Sequence, residues 1–200
     1  NNFFVSCERT FRPDLNGKPV VVLSNNDGCI VARSNEAKAL GIKMGTPLYQ
    51  VRNLIERENV TVFSSNYRLY GDMSNRVMTT LREAVPNIEI YSIDEAFLNL
   101  DGIAENELYE RGLALAKTIR KNTGIPVSIG IAPTKTLAKI AGKLCKKYSA
   151  LKGCCYMHRP EDIEKVLKKF PIEDVWGIGR RHFAKIKMWN VKTAWDFTQL

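Results

Sequence analysis

The chain has 200 residues, 44% of them hydrophobic, with 30 Lys plus Arg against 21 Asp plus Glu and a net charge of +9. That composition suits a globular protein with a sizeable core, not a disordered chain. No apolar run approaches the ~20 residues of a membrane span, and the opening NNFFVSCE is no signal peptide. The five cysteines (Cys7, Cys29, Cys145, Cys154, Cys155) are odd in number and form no CxxC, and His158 and His182 are the only histidines. This is poor material for a disulfide scaffold or a tetrahedral zinc site, and free thiols are the expectation.

The charge is uneven. Residues 1–100 carry 11 basic and 11 acidic side chains, whereas residues 101–200 carry 19 and 10. Arg111 to Pro160 holds eleven Lys or Arg and no acid, a one-sign stretch that points to a polyanionic partner such as nucleic acid or nucleotide.

In chain order, Phe3–Cys7 reads as an opening helix. Pro19–Ser24 and Gly28–Arg33 are β-branched runs around Asn25-Asn26-Asp27-Gly28, which predicts a hairpin. Ser34–Leu40 follows as a short helix with Ser34 as N-cap and Gly41 as its stop, then Val60–Ser64 as a strand. Tyr70, Met73, Val77, Met78 and Leu81 recur at three and four, which predicts an amphipathic helix over 66–84 ending before Pro86. Ile88–Ser92 and Ala96–Leu100 read as strands around a tight connection. A helix over Glu105–Asn122 stopped by Gly124, a strand over Pro126–Ala132, and a helix over Thr134–Tyr148 come next. Lys135, Lys139, Lys143, Lys146 and Lys147 fall on one stripe of that last helix. Glu161–Phe170 and Arg180–Met188 read as further short helices, after a Gly- and Cys-containing loop. The order from Ile88 is strand, strand, helix, strand, helix, which with an upstream strand would complete a βαββαβ sheet. The fold class expected is therefore α+β.

Three constellations carry chemistry. Asp94 and Glu95 are adjacent acids inside an apolar β-run; one would face the core unless the strand turns there or a cation is bound. Paired carboxylates on a sheet suit Mg²⁺, a hard ion held by one or two carboxylates plus phosphate oxygens. Taken alone, the lysine stripe reads as a solvated face, although it could grip a triphosphate or a DNA backbone. Val175-Trp176-Gly177-Ile178-Gly179-Arg180-Arg181 resembles a helix-hairpin-helix, whose turn N–H groups take a phosphate oxygen without reading bases.

Ser92–Ala96, Ser128–Ala141 (SIGIAPTKTLAKIA) and VWGIGRR resemble the Y-family DNA polymerases, and Phe11–Leu15, Ser24–Gly45 and Ser64–Met78 resemble the UmuC branch. The resemblance covers the whole chain. It implies a ferredoxin-like palm (1–9 and 66–160), a small fingers insertion (10–65) and the start of a helical thumb (161–200) containing a helix-hairpin-helix near 175–193. A little-finger domain would lie beyond Leu200. The implied activity is template-directed nucleotidyl transfer from dNTP to a primer 3′-OH in error-prone translesion synthesis. By that resemblance Asp94 and Glu95 are catalytic and hold two Mg²⁺ ions. The third carboxylate, an Asp, would lie upstream of Asn1. Phe4 matches the aromatic gate that excludes a ribose 2′-OH, and Phe3 packs beside it. Asn35 and Lys38 lie where relatives carry Tyr and Arg toward the triphosphate, Lys146 matches the palm lysine, and Gly177, Gly179, Arg180 and Arg181 match the DNA-binding hairpin. Implied partners are primer–template DNA, dNTP, UmuD′ and RecA, in the bacterial cytoplasm and with no membrane. With neutral Asn1 and Asn2 where the chain opens, the 200 residues by themselves are expected to be inactive. Two rival readings stay open: a non-catalytic DNA-binding module, for which Asp94 would be dispensable, and a nucleotidyl cyclase, in which the segments 19–45 and 175–181 would have no use.

Overall fold

The computed structural model describes residues 2–200. The chain forms two compact units, Asn1–Asn99 with Lys117–Val127 and Leu100–Ala116 with Ser128–Leu200.

The first unit begins with α1 (Phe3–Phe11), longer than the sequence suggested, and a 3₁₀ turn at Pro13–Leu15. β1 (Val20–Leu23) and β2 (Ile30–Arg33) form the predicted antiparallel hairpin, and β3 (Thr61–Phe63) adds parallel to β1, giving the order β2-β1-β3. All four residues of β1 are buried because it is the central strand with both faces covered. Val21 and Leu23 join Ile30, Ala37, Ile42 and Val60 in one core. That core is covered by Leu48, Val51, Leu54 and Ile55 of α3 (Leu48–Arg57). The short α2 (Asn35–Ala39) sits between β2 and α3. Ser34, wholly buried, ties α2 to the sheet: its Oγ accepts from the Ala37 and Val20 amides at 3.2 and 3.1 Å. α4 (Tyr67–Ala84) buries the predicted stripe Tyr70, Met73, Val77, Met78 and Leu81 and is capped by the Asn66 side chain. β4 (Ile88–Ser92) and β5 (Glu95–Leu98) form an antiparallel hairpin.

α5 (Leu108–Thr123) ends at Gly124, whose φ of +73° is the left-handed backbone a helix stop requires. In the second unit β6 (Ile129–Ile131) pairs parallel with β7 (Cys154–Tyr156), and α6 (Lys135–Lys147) packs across them. Gly130 makes this approach feasible, since a Cβ there would lie 2.1 Å from the Ala138 carbonyl oxygen and 2.5 Å from the Gly142 nitrogen. α7 (Pro160–Leu167), a 3₁₀ turn (Ile172–Asp174), α8 (Arg180–Lys187) and α9 (Ala194–Thr198) complete the chain. Leu167, Phe170 and Ala194 pack on Ile140, Ala141 and Met157, while Ile172, Ile186 and Val191 make a smaller core of their own.

The mixture of helix and sheet agrees with the expected class. Three elements were not expected: α3, α9, and β7 in place of the Gly- and Cys-containing loop. The strands downstream of Ile88 form two separate pairs, β4–β5 and β6–β7, among the described residues.

Candidate active site

Asp94 and Glu95 sit where the chain reverses. Ile93 and Asp94 form the connection between β4 and β5, and Glu95, paired with Ser92, opens β5. Register slips between Ile90 and Ser92, so Tyr91 is an extra residue on β4. Such a bulge sharpens local twist and re-aims the side chains beside it. The turn removes the cost foreseen for an acid facing the core: Asp94 is exposed and Glu95 only half-buried. The Ser92 hydroxyl donates to Asp94 Oδ1 at 2.9 Å, fixing one oxygen of that carboxylate. Two hard oxygen donors on a rigid turn fit Mg²⁺, which takes few protein carboxylates and completes its shell with water and phosphate oxygens. Among the described residues no group of three or more His, Cys, Asp or Glu is placed to hold a metal. The pair is thus a partial donor set. Asn1 lies outside the described residues.

The aromatic pair at the start of α1 is tied to α4. Phe4 stacks on Tyr70 with ring centroids 4.3 Å apart and 13° between planes, and meets Tyr67 edge-on at 5.9 Å. Phe3 is tilted against Phe4 at 6.0 Å. Tyr70 is fully buried, and its hydroxyl donates to Glu8 Oε1 at 2.7 Å. Burial first, and this bond to a carboxylate second, push the Tyr70 phenol well above its ordinary range. The sequence singled out Phe4 but gave Tyr70 only a core role on a helix stripe.

Asn35 and Lys38, both on α2, converge on the same end of α1. Lys38 Nζ donates to Asn2 Oδ1 at 2.7 Å, and Asn2 Nδ2 donates to Asn35 Oδ1 at 3.1 Å. α1 and α2 are held together by Arg9, which donates to Glu36 Oε2 at 2.9 Å and to the Lys18 carbonyl at 2.6 Å. Burial raises the Glu36 carboxyl, but hydrogen bonds from Ser34, its backbone and Arg9 outweigh it and leave it below its usual range. Phe3, Phe4, Asn35 and Lys38, scattered in sequence, are thus brought together within one unit.

Lys146 and the 177–181 turn belong to the other unit. Lys146 is exposed near the end of α6. The lysine stripe is not simply solvated. Lys143 donates to the Asp174 carbonyl at 2.6 Å and to its Oδ1 at 3.2 Å, over the Phe170 ring, and Lys139 lies over Trp176 at 5.8 Å. These two lysines hold the 170–176 segment on α6. Gly177 has φ +91°, a backbone that favours glycine, and Gly179 is the N-cap of α8, which opens with exposed Arg180 and Arg181. All five cysteines are free thiols. Cys155 is lowered to about 7 by a hydrogen bond from the Cys145 thiol, while Cys7 and Cys154 are pushed up to about 12 and about 11, chiefly by burial.

The structure resembles solved polymerases. It superposes on DinB from Sulfolobus solfataricus with a TM-score of 0.83 at 26% identity, over 100% of this chain and 58% of that one. A ternary complex of Dbh DNA polymerase matches with a TM-score of 0.82 at 28% identity, over 96% and 56%. These neighbours define the class as Y-family DNA polymerases. Within it, residues 1–143 match the impB/mucB/samB family, and the chain belongs to that family. It is 49% identical over 201 residues to the UmuC protein of Salmonella typhimurium, matching all of this chain and 48% of that protein. It is 32% identical over 203 residues to a DNA polymerase IV of Bacillus velezensis, matching 47% of it. The chain spans about half the length of the curated relatives it matches.

Proposed function

We propose that the chain forms the nucleotide-binding and catalytic portion of an error-prone translesion DNA polymerase, which joins dNTPs to a primer 3′-OH under template direction. The observation that carries the reading is the acidic turn: Asp94 on the β4–β5 connection, with Glu95 following it at the head of β5. In this reading 1–9 and 66–160 form a ferredoxin-like palm, 10–65 the fingers, and 161–200 the start of a thumb whose 175–193 segment grips duplex DNA as a helix-hairpin-helix.

Asp94 and Glu95 would hold Mg²⁺. When bound, that ion supplies charge stabilisation for the attacking and leaving oxygens of the phosphoryl transfer. The Ser92 hydroxyl keeps Asp94 oriented, so the carboxylate need not be reordered when substrate arrives. Phe4, backed by Tyr70, forms a flat wall against the sugar and excludes a 2′-OH. Asn35 and Lys38 meet the triphosphate, and Lys146 is proposed separately as a nucleotide-binding cation. Gly177, Gly179, Arg180 and Arg181 take backbone phosphates of the primer–template without reading sequence. The 200 residues by themselves are proposed to be inactive, because their described carboxylates supply a partial set. UmuD′ and RecA are proposed partners, in the bacterial cytoplasm; no helix among the described residues is long and apolar enough to cross a membrane.

The test is primer extension by the gene's full-length product on an undamaged and an abasic template, with Mg²⁺ or with chelator. Mg²⁺-dependent addition opposite both templates is expected. Tight primer–template binding with no templated addition under any divalent ion would favour the DNA-binding module instead.

A further inference from the structure

We infer that Asn2 is a positioning residue for nucleotide binding: its carboxamide holds Lys38 and Asn35 in the arrangement that receives the incoming triphosphate. The inference rests on the proposed placement of the triphosphate at these two residues.

Asn2 is unusual for its position. It is the N-cap of α1, where an Asn ordinarily turns its side-chain oxygen onto the first free amides of the helix. Here it makes no such bond and adopts left-handed backbone, φ 39° and ψ 51°. Asn tolerates that conformation better than most residues, but it is still uncommon away from glycine. The side chain is spent across the chain instead, on residues 33 and 36 positions away.

The chemistry fixes the orientation of the amide. An ammonium only donates, so the Asn2 atom 2.7 Å from Lys38 Nζ must be oxygen. The other Asn2 atom is then the NH₂, and its partner 3.1 Å away must be the Asn35 oxygen. Both carboxamide oxygens are therefore engaged inside the cluster. What the cluster can still offer a ligand is chiefly N–H, from the Asn35 amide, beside the positive charge of Lys38. A donor-rich, cationic cluster beside Phe3 and Phe4 suits the oxygens of a nucleoside triphosphate. Neither Asn35 nor Lys38 has the rigid fork of an arginine, so a long flexible lysine needs an external restraint to be pre-placed. The Asn2 oxygen supplies one, and the Asn2–Asn35 bond fixes Asn2 in turn.

The test is steady-state single-nucleotide insertion by the gene's full-length product carrying Asn2→Ala, Lys38→Ala, or both, with melting temperature as a control for folding. Asn2→Ala is expected to raise the KM for dNTP about three- to tenfold, the worth of one modest hydrogen bond in positioning, with kcat within about twofold and a fall in melting temperature of no more than about 4 °C from the left-handed backbone at this position. Lys38→Ala should raise KM at least as much, and adding Asn2→Ala to it should cost little more, because Asn2 acts through Lys38. Asn2→Asp keeps the acceptor for Lys38 but sets a negative charge near the triphosphate, and should raise KM further. If Lys38→Ala raises KM while Asn2→Ala leaves it unchanged, the positioning role is wrong and the triphosphate site stands. If neither changes KM, the triphosphate is not bound there, and both fail. Fully additive losses in the double variant would also overturn the role, since independent contacts do not position one another.

Discussion

Replacing Tyr70 by Phe removes one hydroxyl and leaves the ring that stacks on Phe4. The lost bond is a 2.7 Å contact to the Glu8 carboxylate from a side chain with no exposed surface. Hydrogen bonds to charged groups are worth about 1.5–3 kcal/mol. Glu8 is only partly buried and recovers some of this from water, so a loss of about 1–2 kcal/mol is expected. For a chain of this size that is a fall in melting temperature of roughly 2–8 °C. The pH dependence gives a second signature. The Tyr70 phenol is raised in the folded state, by burial and by Glu8, so the folded protein holds that proton after the unfolded chain has released it. This contribution is complete below the unfolded value near ~10 and declines as pH rises above it. Between pH 10 and 11 the native protein should therefore lose about 1 kcal/mol more than the Phe variant. Near-ultraviolet circular dichroism during thermal unfolding, at neutral pH and across pH 9–11, measures both effects. A Phe variant that melts within 1 °C of the native chain, or that shows the same alkaline decline, would refute the clasp. Tyr70→Ala goes further: it deletes the support behind Phe4 and, in the full-length product, should raise the incorporation of ribonucleotides relative to deoxyribonucleotides.

Gly130→Ala drives a methyl group into the backbone of α6, and should destabilise the second unit by about 3 kcal/mol or more, read by loss of near-ultraviolet signal or by faster amide exchange in α6. Alkylation by iodoacetamide in the native state should mark Cys155 first, with a rate that rises through a midpoint near pH 7, whereas Cys7 and Cys154 stay unreacted until the chain unfolds. Lys143→Ala should loosen the 170–176 segment, seen as amide exchange that quickens there and stays unchanged in β1–β3.

Where local rules act, the sequence was readable. The Asn25–Gly28 turn, the stripe of α4, the Ser34 cap and the Gly124 stop each follow from a few neighbouring residues, and each is in the structure. The acidic turn was half-read in the same way: two adjacent carboxylates in an apolar run called for either a reversal of the strand or a bound cation, and the strand does reverse there. α3 carried a readable signal too, in the spacing of Leu48, Val51, Leu54 and Ile55, but starts at Pro47 with no side-chain cap. β7 is three residues long, too short for any period, and exists because β6 offers it a parallel edge. The Tyr70–Phe4 stack and the Asn2 bridge join residues 66 and more than 30 positions apart, so no spacing rule could have found them. The lysine stripe was visible, but its partial use by Asp174, Phe170 and Trp176 depends on how the later segment folds back on α6.

The central claim is that the acidic turn performs the chemistry. Its most direct test is the Asp94→Asn variant of the gene's full-length product, assayed for primer extension with Mg²⁺ and, in parallel, for primer–template affinity. Loss of a carboxylate that holds the ion should cost several kcal/mol of transition-state stabilisation, a fall in kcat of about 10³-fold or more, with DNA affinity unchanged. Extension within threefold of the native protein would contradict the account.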